Sequence, residues 1–77
     1  MYSVEFTLHT YDVSAQTIRN ALLEFGAGLA ISERQESQER GWDFQVQLNT
    51  DNPEAVFDIC AQFGRIKSVK IDEMKLK

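Results

Sequence analysis

The sequence predicts a ferredoxin-like βαββαβ domain, an α+β fold in which a four-stranded antiparallel sheet of order 4-1-3-2 carries two helices on one face. Two runs, near residues 2–9 and 42–50, alternate apolar and polar residues in the manner of half-buried strands. Each run is followed by a stretch with apolar residues at helical spacing. Right-handed crossovers between strands of one sheet then lead to this strand order. We expect a single domain over residues 1–77.

The first half of the chain begins with a strand over residues 2–9 and continues into a helix. In the strand, one face is formed by Tyr2, Val4, Phe6 and Leu8. Ser14 is the expected N-cap of the helix, because its side-chain oxygen can accept a hydrogen bond from a backbone amide in the first turn. The apolar stripe of the helix consists of Ala15, Ile18, Ala21, Leu22 and Phe25. Gly26 and Gly28 are expected to adopt the left-handed conformations that end it.

The second strand begins apolar at Leu29 and Ile31 and then becomes polar over residues 32–38. A strand with a polar far half cannot cover the core along its length, so we place it at a sheet edge, where it protrudes beyond the helices. Residues 38–41 form the predicted hairpin turn, with Gly41 at a positive φ.

The third strand, residues 42–50, has the strictest alternation, and its inward residues are Trp42, Phe44, Val46 and Leu48. Asp51 or Asn52 is expected to cap the second helix, with Pro53 at its first position. The buried stripe of this helix is predicted to be Ala55, Val56, Ile59, Cys60 and Phe63, and Gly64 ends it. Phe57 falls off this stripe and is expected either to pack between the helices or to mark a contact surface.

The last strand carries Val69 and Ile71, which we expect to point inward. Met74 and Leu76 are out of phase with them. That change of phase indicates a bulge, a frayed end or a docked tail.

The composition argues against several classes of partner. Eight basic residues oppose twelve acidic ones, giving a formal net charge of −4, whereas phosphate-backbone binding needs clustered Lys and Arg. The predicted open face of the sheet has no aromatic residue in a central strand on which bases could stack. We therefore expect no nucleic-acid partner. We also expect no direct membrane insertion, because no run approaches the roughly 18 apolar residues of a membrane span.

The single cysteine, Cys60, permits no internal disulfide, and this favours a reducing, cytoplasmic location. It lies on the predicted buried stripe, so we interpret it as a core residue. His9, the one histidine, is expected to be a solvated or hydrogen-bonded surface residue, with Asp12 and Asp72 as possible neighbours. A general acid–base role would need a second positioned group and a pocket. No catalytic, metal-binding or cofactor motif occurs, so we expect neither an enzyme nor a cofactor.

Residues 63–71 lead from a helix that ends in glycine into a strand with a Val-x-Ile pattern. In this segment, in its length and in its element order, the chain resembles a small ACT-like regulatory domain. It is also similar in outline to the C-terminal domains of MgtC-type membrane proteins. ACT domains that bind amino acids carry an Asp-x-x-Gly-like turn after the first strand, and here that turn keeps Asp12 but lacks the glycine.

These observations predict a non-enzymatic regulatory or protein-interaction module that self-associates as a homodimer or binds a partner protein. The alternative is an ACT-like sensor of a small ligand, an amino acid or an anion. Its candidate ligand-binding residues are Tyr11, Asp12 and Ser14, together with exposed amides at a helix N-terminus.

Overall fold

The computed structural model describes residues 1–34 and 40–74. Its elements are β1 (Tyr2–Thr10), α1 (Ala15–Leu22), β2 (Ala27–Arg34), β3 (Trp42–Thr50), α2 (Pro53–Ala61) and β4 (Arg65–Glu73). The strands form one antiparallel sheet in the order β2-β3-β1-β4. Read from β4, this is the order 4-1-3-2, so the predicted fold class is confirmed. The edge position predicted for β2 is confirmed as well.

The core lies between one face of this sheet and the two helices. Phe6 of β1 is aligned with Val46 of β3, and Leu8 with Phe44, so the even-numbered residues of both strands share a face. That face is buried against residues of α1 and α2, and the buried core comprises Val4, Phe6, Leu8, Ile18, Leu22, Phe44, Val46, Leu48, Val56 and Cys60. Burial of each large side chain stabilises the fold by about 1.5–3 kcal/mol.

Both helices begin at the predicted caps. The Oγ of Ser14 accepts a hydrogen bond from the backbone N–H of Thr17 at 3.2 Å. At α2 the cap is Asn52, the second of the two candidates, whose Oδ1 accepts from the N–H of Ala55 at 3.3 Å. Pro53 occupies the first turn, where its missing N–H has no helical partner to lose.

The glycines after α1 differ from the prediction. Gly26 has no positive φ; instead, a Cβ there would collide with the backbone carbonyl oxygen of Asn49. Gly28 does have a positive φ of 65°, but it lies within β2, where the pairing with β3 shifts register between Ala27 and Ala30. It therefore permits a bulge in the strand rather than the end of a helix. Gly41 has the predicted positive φ, 100°.

Phe57 is partly buried and packs against the core. Its ring lies edge-on to Phe6 of β1, with 5.5 Å between the ring centroids. Phe57 lies one turn before the buried Cys60, so the two side chains are neighbours on one side of α2.

β4 contains the largest departure from the prediction. Its pairing with β1 shifts register between the partners of Glu5 and Thr7, and Ser68 at this point has a positive φ of 54°. Before this bulge Ile66 packs against the core. After it, Val69 and Ile71 lie on the helix side of the sheet but are 50% and 45% exposed, so the predicted burial was wrong.

The exposure of Val69 and Ile71 results from the difference in length between β4 and α2. β4 has nine residues and is about 30 Å long, whereas the nine residues of α2 extend about 14 Å. One helix therefore cannot cover the strand from end to end. At the end of β4 the N–H of Met74 donates to the carbonyl of Met1 at 2.9 Å, which continues the pairing with β1. Leu76, and residues 38 and 39 of the predicted hairpin turn, lie outside the described residues.

Candidate functional site

The open face of the sheet, opposite the helices, carries a polar cluster near the end of β1. His9 is aligned with Asp43 of β3 on one side and with Arg65 of β4 on the other. The Nδ1–H of His9 donates to the Oδ1 of Asp43 at 2.5 Å. The second oxygen of this carboxylate forms an ion pair with the Nζ of Lys67, at 3.6 Å. We call these three residues, His9, Asp43 and Lys67, the open-face cluster.

His9 is only 2% exposed, although it lies on the face without helices. The ring of Tyr11 packs edge-on against the imidazole, with 5.2 Å between the centroids. Gly41 approaches from the hairpin side, where a Cβ would meet the backbone of Thr10 and lie 3.2 Å from the Nε2 of His9. The expectation of a hydrogen-bonded His9 is thus confirmed. The expectation of a solvated one was wrong, because a tyrosine ring and the hairpin backbone cover it.

Asp43 is a carboxylate partner of His9 that the sequence did not predict, since Asp12 and Asp72 were the expected neighbours. Asp72 lies towards the other end of the sheet, opposite Ser3. The hydrogen bond from His9 is the main reason that the pKa of Asp43 is lowered, and the positive charge of Lys67 acts in the same direction against the opposing effect of burial. The cluster is therefore a charge-assisted contact that links the three strands.

A second polar chain crosses the open face between β1 and β3. The hydroxyl of Thr7 donates to the Oε1 of Gln45 at 3.0 Å, and the Nε2 of Gln45 donates to the Oε1 of Glu5, also at 3.0 Å. Cross-strand pairs of this kind stabilise a sheet by a few tenths to about 1 kcal/mol each. These side chains bond to one another, so the surface they form is already hydrogen-bonded without a ligand.

The predicted ligand residues all lie in the connection between β1 and α1. Tyr11 contacts His9. Ser14 is occupied as the helix cap and also hydrogen-bonds the hydroxyl of Thr17 at 3.1 Å. Asp12 is exposed. Their role in binding a ligand stays a prediction.

The surroundings of this connection bear on which ligand it could hold. Gly64, just after α2, packs so closely against the backbone of His9 that a Cβ would collide with its carbonyl oxygen. The C-terminal end of α2 therefore lies beside the connection. The carbonyl end of a helix carries partial negative charge, which disfavours an anion, whereas the N-terminus of α1 favours one.

The sequence did not predict a cleft at the opposite end of the sheet, between the end of α1 and the start of α2. It has a volume of about 450 Å³, and Glu24, Phe25, Asn49, Asp51 and Asn52 contribute to its lining. The hydroxyl of Thr50 organises the cleft by donating to the carbonyl of Phe25 at 2.6 Å and accepting from the N–H of Asn52 at 3.1 Å. A feature of the sequence that could have indicated the cleft is Thr50, a polar residue on the otherwise apolar inward face of β3.

The structure places the thiol of Cys60 away from solvent. Cys60 is buried in the core, and burial raises the pKa of its thiol to about 11. Within residues 1–34 and 40–74, no group of three or more His, Cys, Asp and Glu side chains is placed to hold a metal ion. In the same ranges, neither helix has the length and apolar character needed to cross a membrane.

Comparison with protein families gives a match over residues 1–77, the whole chain, to the FakA-like middle domain, which is named for a fatty acid kinase subunit. The chain belongs to this family. Comparisons with curated proteins and with solved structures gave no match. The family match agrees with a small βαββαβ domain, and it does not support the predicted ACT-like resemblance.

One further surface of this FakA-like middle domain stands out by its chemistry. Tyr2, Val69 and Ile71 are exposed on the helix side of the sheet, beyond the part that α2 covers. We call them the terminal apolar patch. The patch lies along the outer edge of the sheet, because β4 is a terminal strand in the order β2-β3-β1-β4. The strand pattern alone could not reveal it, since Val69 and Ile71 alternate as core residues do.

Proposed function

We propose that this FakA-like middle domain is a non-catalytic interaction module, which joins a fatty acid kinase subunit to another protein chain through the edge of β4. The observation that carries the proposal is the combination of an open strand edge with two half-exposed apolar side chains, Val69 and Ile71. An edge strand presents unpaired backbone N–H and C=O groups, and proteins ordinarily protect such edges with charges or a covering element.

The chemistry named by the family supports a non-catalytic role for this part of the protein. A kinase that acts on fatty acids must hold an anionic phosphate donor and a carboxylate, and cationic groups or backbone amides do this in phosphoryl-transfer sites. The described cleft is instead bordered by the carboxylates of Glu24 and Asp51. His9 is covered by its neighbours, and the Cys60 thiol has a pKa raised to about 11. None of these groups is presented to an anionic substrate.

The edge of β4 supports the interaction role directly. Addition of a strand to a free sheet edge is a recurring mode of protein recognition, in which backbone hydrogen bonds hold the partner and side-chain contacts select it. Along the part of β4 that contains Val69 and Ile71, the open backbone edge and the terminal apolar patch lie next to each other. A partner strand that pairs with β4 would bury both at once.

The test compares two variants of a kinase subunit that carries this domain. Ile71→Asp places a charge in the terminal apolar patch, and Leu23→Asp makes the same change at an exposed apolar residue just after α1. We expect Ile71→Asp to lower the mass of the assembly in analytical ultracentrifugation. The phosphoryl-transfer rate of this variant, lowered by the loss of assembly, should recover as protein concentration rises. Leu23→Asp should leave the assembly mass and the rate unchanged. Recovery of the rate with concentration identifies an assembly defect, because mass action overcomes such a defect and does not overcome a defect in the chemical step.

Two results would contradict the proposal. One is an Ile71→Asp variant that assembles as Leu23→Asp does. The other is a folded His9→Gln variant whose turnover at saturating substrates falls by about tenfold or more, which would correspond to a loss of transition-state stabilisation by this domain.

A further inference from the structure

We infer that Ser68 is a phosphorylation site, and that a phosphate on its hydroxyl weakens the contact of the partner chain with the edge of β4. The inference rests on the proposed function and adds the regulation of that contact. The modifying enzyme is a serine protein kinase that recognises basic segments, with a nucleoside triphosphate as the phosphate donor. The backbone at Ser68, the charges around it and its place beside the terminal apolar patch support this assignment.

The backbone conformation at Ser68 is unusual for a serine. Its φ is 54°, and the pairing of β4 with β1 shifts at this point, between the partners of Glu5 and Thr7. Glycine adopts a positive φ in such a bulge without steric cost, whereas a serine is strained there. The serine gives this strained position a hydroxyl group. Strained residues of this kind concentrate at functional sites.

The segment around Ser68 is accessible to an enzyme. Ser68 itself is exposed, and β4 is a terminal strand of the sheet, so a single strand, β1, pairs with it. The bulge at Ser68 interrupts the ladder of hydrogen bonds to β1. Local opening of such a segment requires less free energy than unfolding of the whole domain. The hydroxyl of Ser68 can therefore enter an active site while the rest of the domain stays folded.

Cationic side chains surround Ser68 in the sequence, because Arg65, Lys67 and Lys70 all lie within three positions of it. Arg65 and Lys70 are exposed, and the partly exposed Lys67 is paired with Asp43 at 3.6 Å. Protein kinases select their substrates by charge patterns, so an enzyme with acidic groups around its substrate cleft would favour this segment. The same cations would stabilise the attached phosphate, because its oxygens accept charge-assisted hydrogen bonds.

The reaction is an ordinary phosphoryl transfer. The Oγ of Ser68 attacks the terminal phosphorus of the nucleoside triphosphate, and a new O–P bond forms. The bond from that phosphorus to the bridging oxygen breaks, and the nucleoside diphosphate leaves with its electron pair. The hydroxyl proton passes to a carboxylate of the protein kinase, which acts as the base.

The phosphate would lie beside the surface that the proposed partner covers. Ser68 directly precedes Val69, a half-exposed member of the terminal apolar patch. A phosphoserine carries about −1.5 to −2 charges at neutral pH, and the loss of hydration opposes its burial against apolar side chains. A strand that pairs with the free edge of β4 passes this position. Phosphorylation should therefore release the partner, and removal of the phosphate should allow it to bind again.

The experiment uses a kinase subunit that carries this domain and compares phosphoserine at two positions, introduced by genetically encoded incorporation. Phosphoserine in place of Ser68 should weaken assembly about tenfold or more in analytical ultracentrifugation. The matched control is phosphoserine in place of Ser32, an exposed serine of β2 at the opposite edge of the sheet. This control should assemble as the unmodified subunit does. Circular dichroism verifies that both modified subunits are folded.

A second measurement asks whether the modification occurs. Tandem mass spectrometry of the subunit purified from the cells that produce it should find phosphate on Ser68, and treatment with a phosphatase should strengthen assembly. Ser68→Gly removes the hydroxyl and keeps a residue that favours the positive φ. This variant should assemble as the dephosphorylated subunit does and should not respond to the phosphatase.

The outcomes separate this inference from the proposed function. A subunit without phosphate on Ser68, in both growing and stationary cells, overturns the modification site. Phosphoserine in place of Ser68 that changes assembly no more than phosphoserine in place of Ser32 overturns the regulation. In either case the proposed function still stands if Ile71→Asp impairs assembly. If Ile71→Asp assembles as Leu23→Asp does, the proposed function and its regulation both fail.

Discussion

Replacing Asp43 tests whether the open-face cluster stabilises the fold. In the native domain the Oδ1 of Asp43 accepts from the Nδ1–H of His9 at 2.5 Å, and the carboxylate is also 3.6 Å from the Nζ of Lys67. Asp43→Asn keeps an acceptor oxygen but removes its charge. Asp43→Ala removes the acceptor as well, beside an imidazole that is 2% exposed.

The magnitudes follow from the kind of contact that each variant loses. A hydrogen bond to a charged group contributes about 1.5–3 kcal/mol net, and a neutral one about half as much. The ion pair with Lys67 is partly exposed and adds less than about 1 kcal/mol. We therefore expect the unfolding free energy to fall by about 1 kcal/mol in Asp43→Asn and by about 2–3 kcal/mol in Asp43→Ala. With a urea m-value near 1 kcal/mol/M, the midpoints should shift by about 1 M and 2–3 M.

The pH dependence provides an independent check. The hydrogen bond from His9 holds the pKa of Asp43 in the folded protein below its ordinary value of 3.8. A lowered carboxyl pKa stabilises the fold above the unfolded value, and this stabilisation is lost as the pH falls through the folded value. The difference between wild type and Asp43→Asn should therefore be present at neutral pH and shrink below about pH 4.

Urea unfolding followed by circular dichroism measures both effects, with Asp58→Asn on the exposed side of α2 as the matched control. Equal midpoints for Asp43→Asn and Asp58→Asn at neutral pH would refute the stabilising role of the cluster. A difference from wild type that persists unchanged in acid would refute it as well.

Two further predictions concern the backbone and the predicted ligand site. Gly64→Ala should lower the melting temperature more than Gly28→Ala, because the Cβ at Gly64 would collide with the carbonyl oxygen of His9. At Gly28 there is room for a Cβ, and only the positive φ opposes the change, at a cost of about 1–2 kcal/mol. Equal shifts would show that the structure relieves the collision. Suppose that Tyr11, Asp12 and Ser14 bind an amino acid or an anion. A ligand at 100 times its dissociation constant should then stabilise the wild type by about 2.7 kcal/mol and raise its melting temperature by about 11–22 °C. The rise should be smaller in Asp12→Ala, and a screen of amino acids and phosphate without any rise would exclude these ligands.

The strands and helix starts could be predicted because their signals are local. Alternation over residues 42–50 and the capping groups Ser14 and Asn52 act within a few positions of the chain. Phe57 and Gly26 make contacts that local sequence patterns could not predict. The contact of Phe57 with Phe6 and the close approach of Gly26 to Asn49 join segments that are far apart in the sequence.

The candidate sites were less predictable than the fold for the same reason. His9 and Asp43 are 34 positions apart, and only the register of β1 with β3 brings them into contact. The cleft beside Thr50 arises where the end of α1 meets the start of α2. The terminal apolar patch depends on how far α2 extends over β4, and the apolar pattern of β4 contains no information on that length.

By itself, the sequence determined the order of elements, the parity of the two central strands and the strand order of the sheet. The order of elements and the parity follow from side-chain periodicity, which is a property of neighbouring residues. The strand order follows from the right-handedness that crossover connections share. Only the tertiary structure decided that His9 is covered, that Asp43 contacts it, and that Val69 and Ile71 are exposed. Periodicity specifies the face of a strand on which a residue lies, but burial depends on whether another element covers that part of the face.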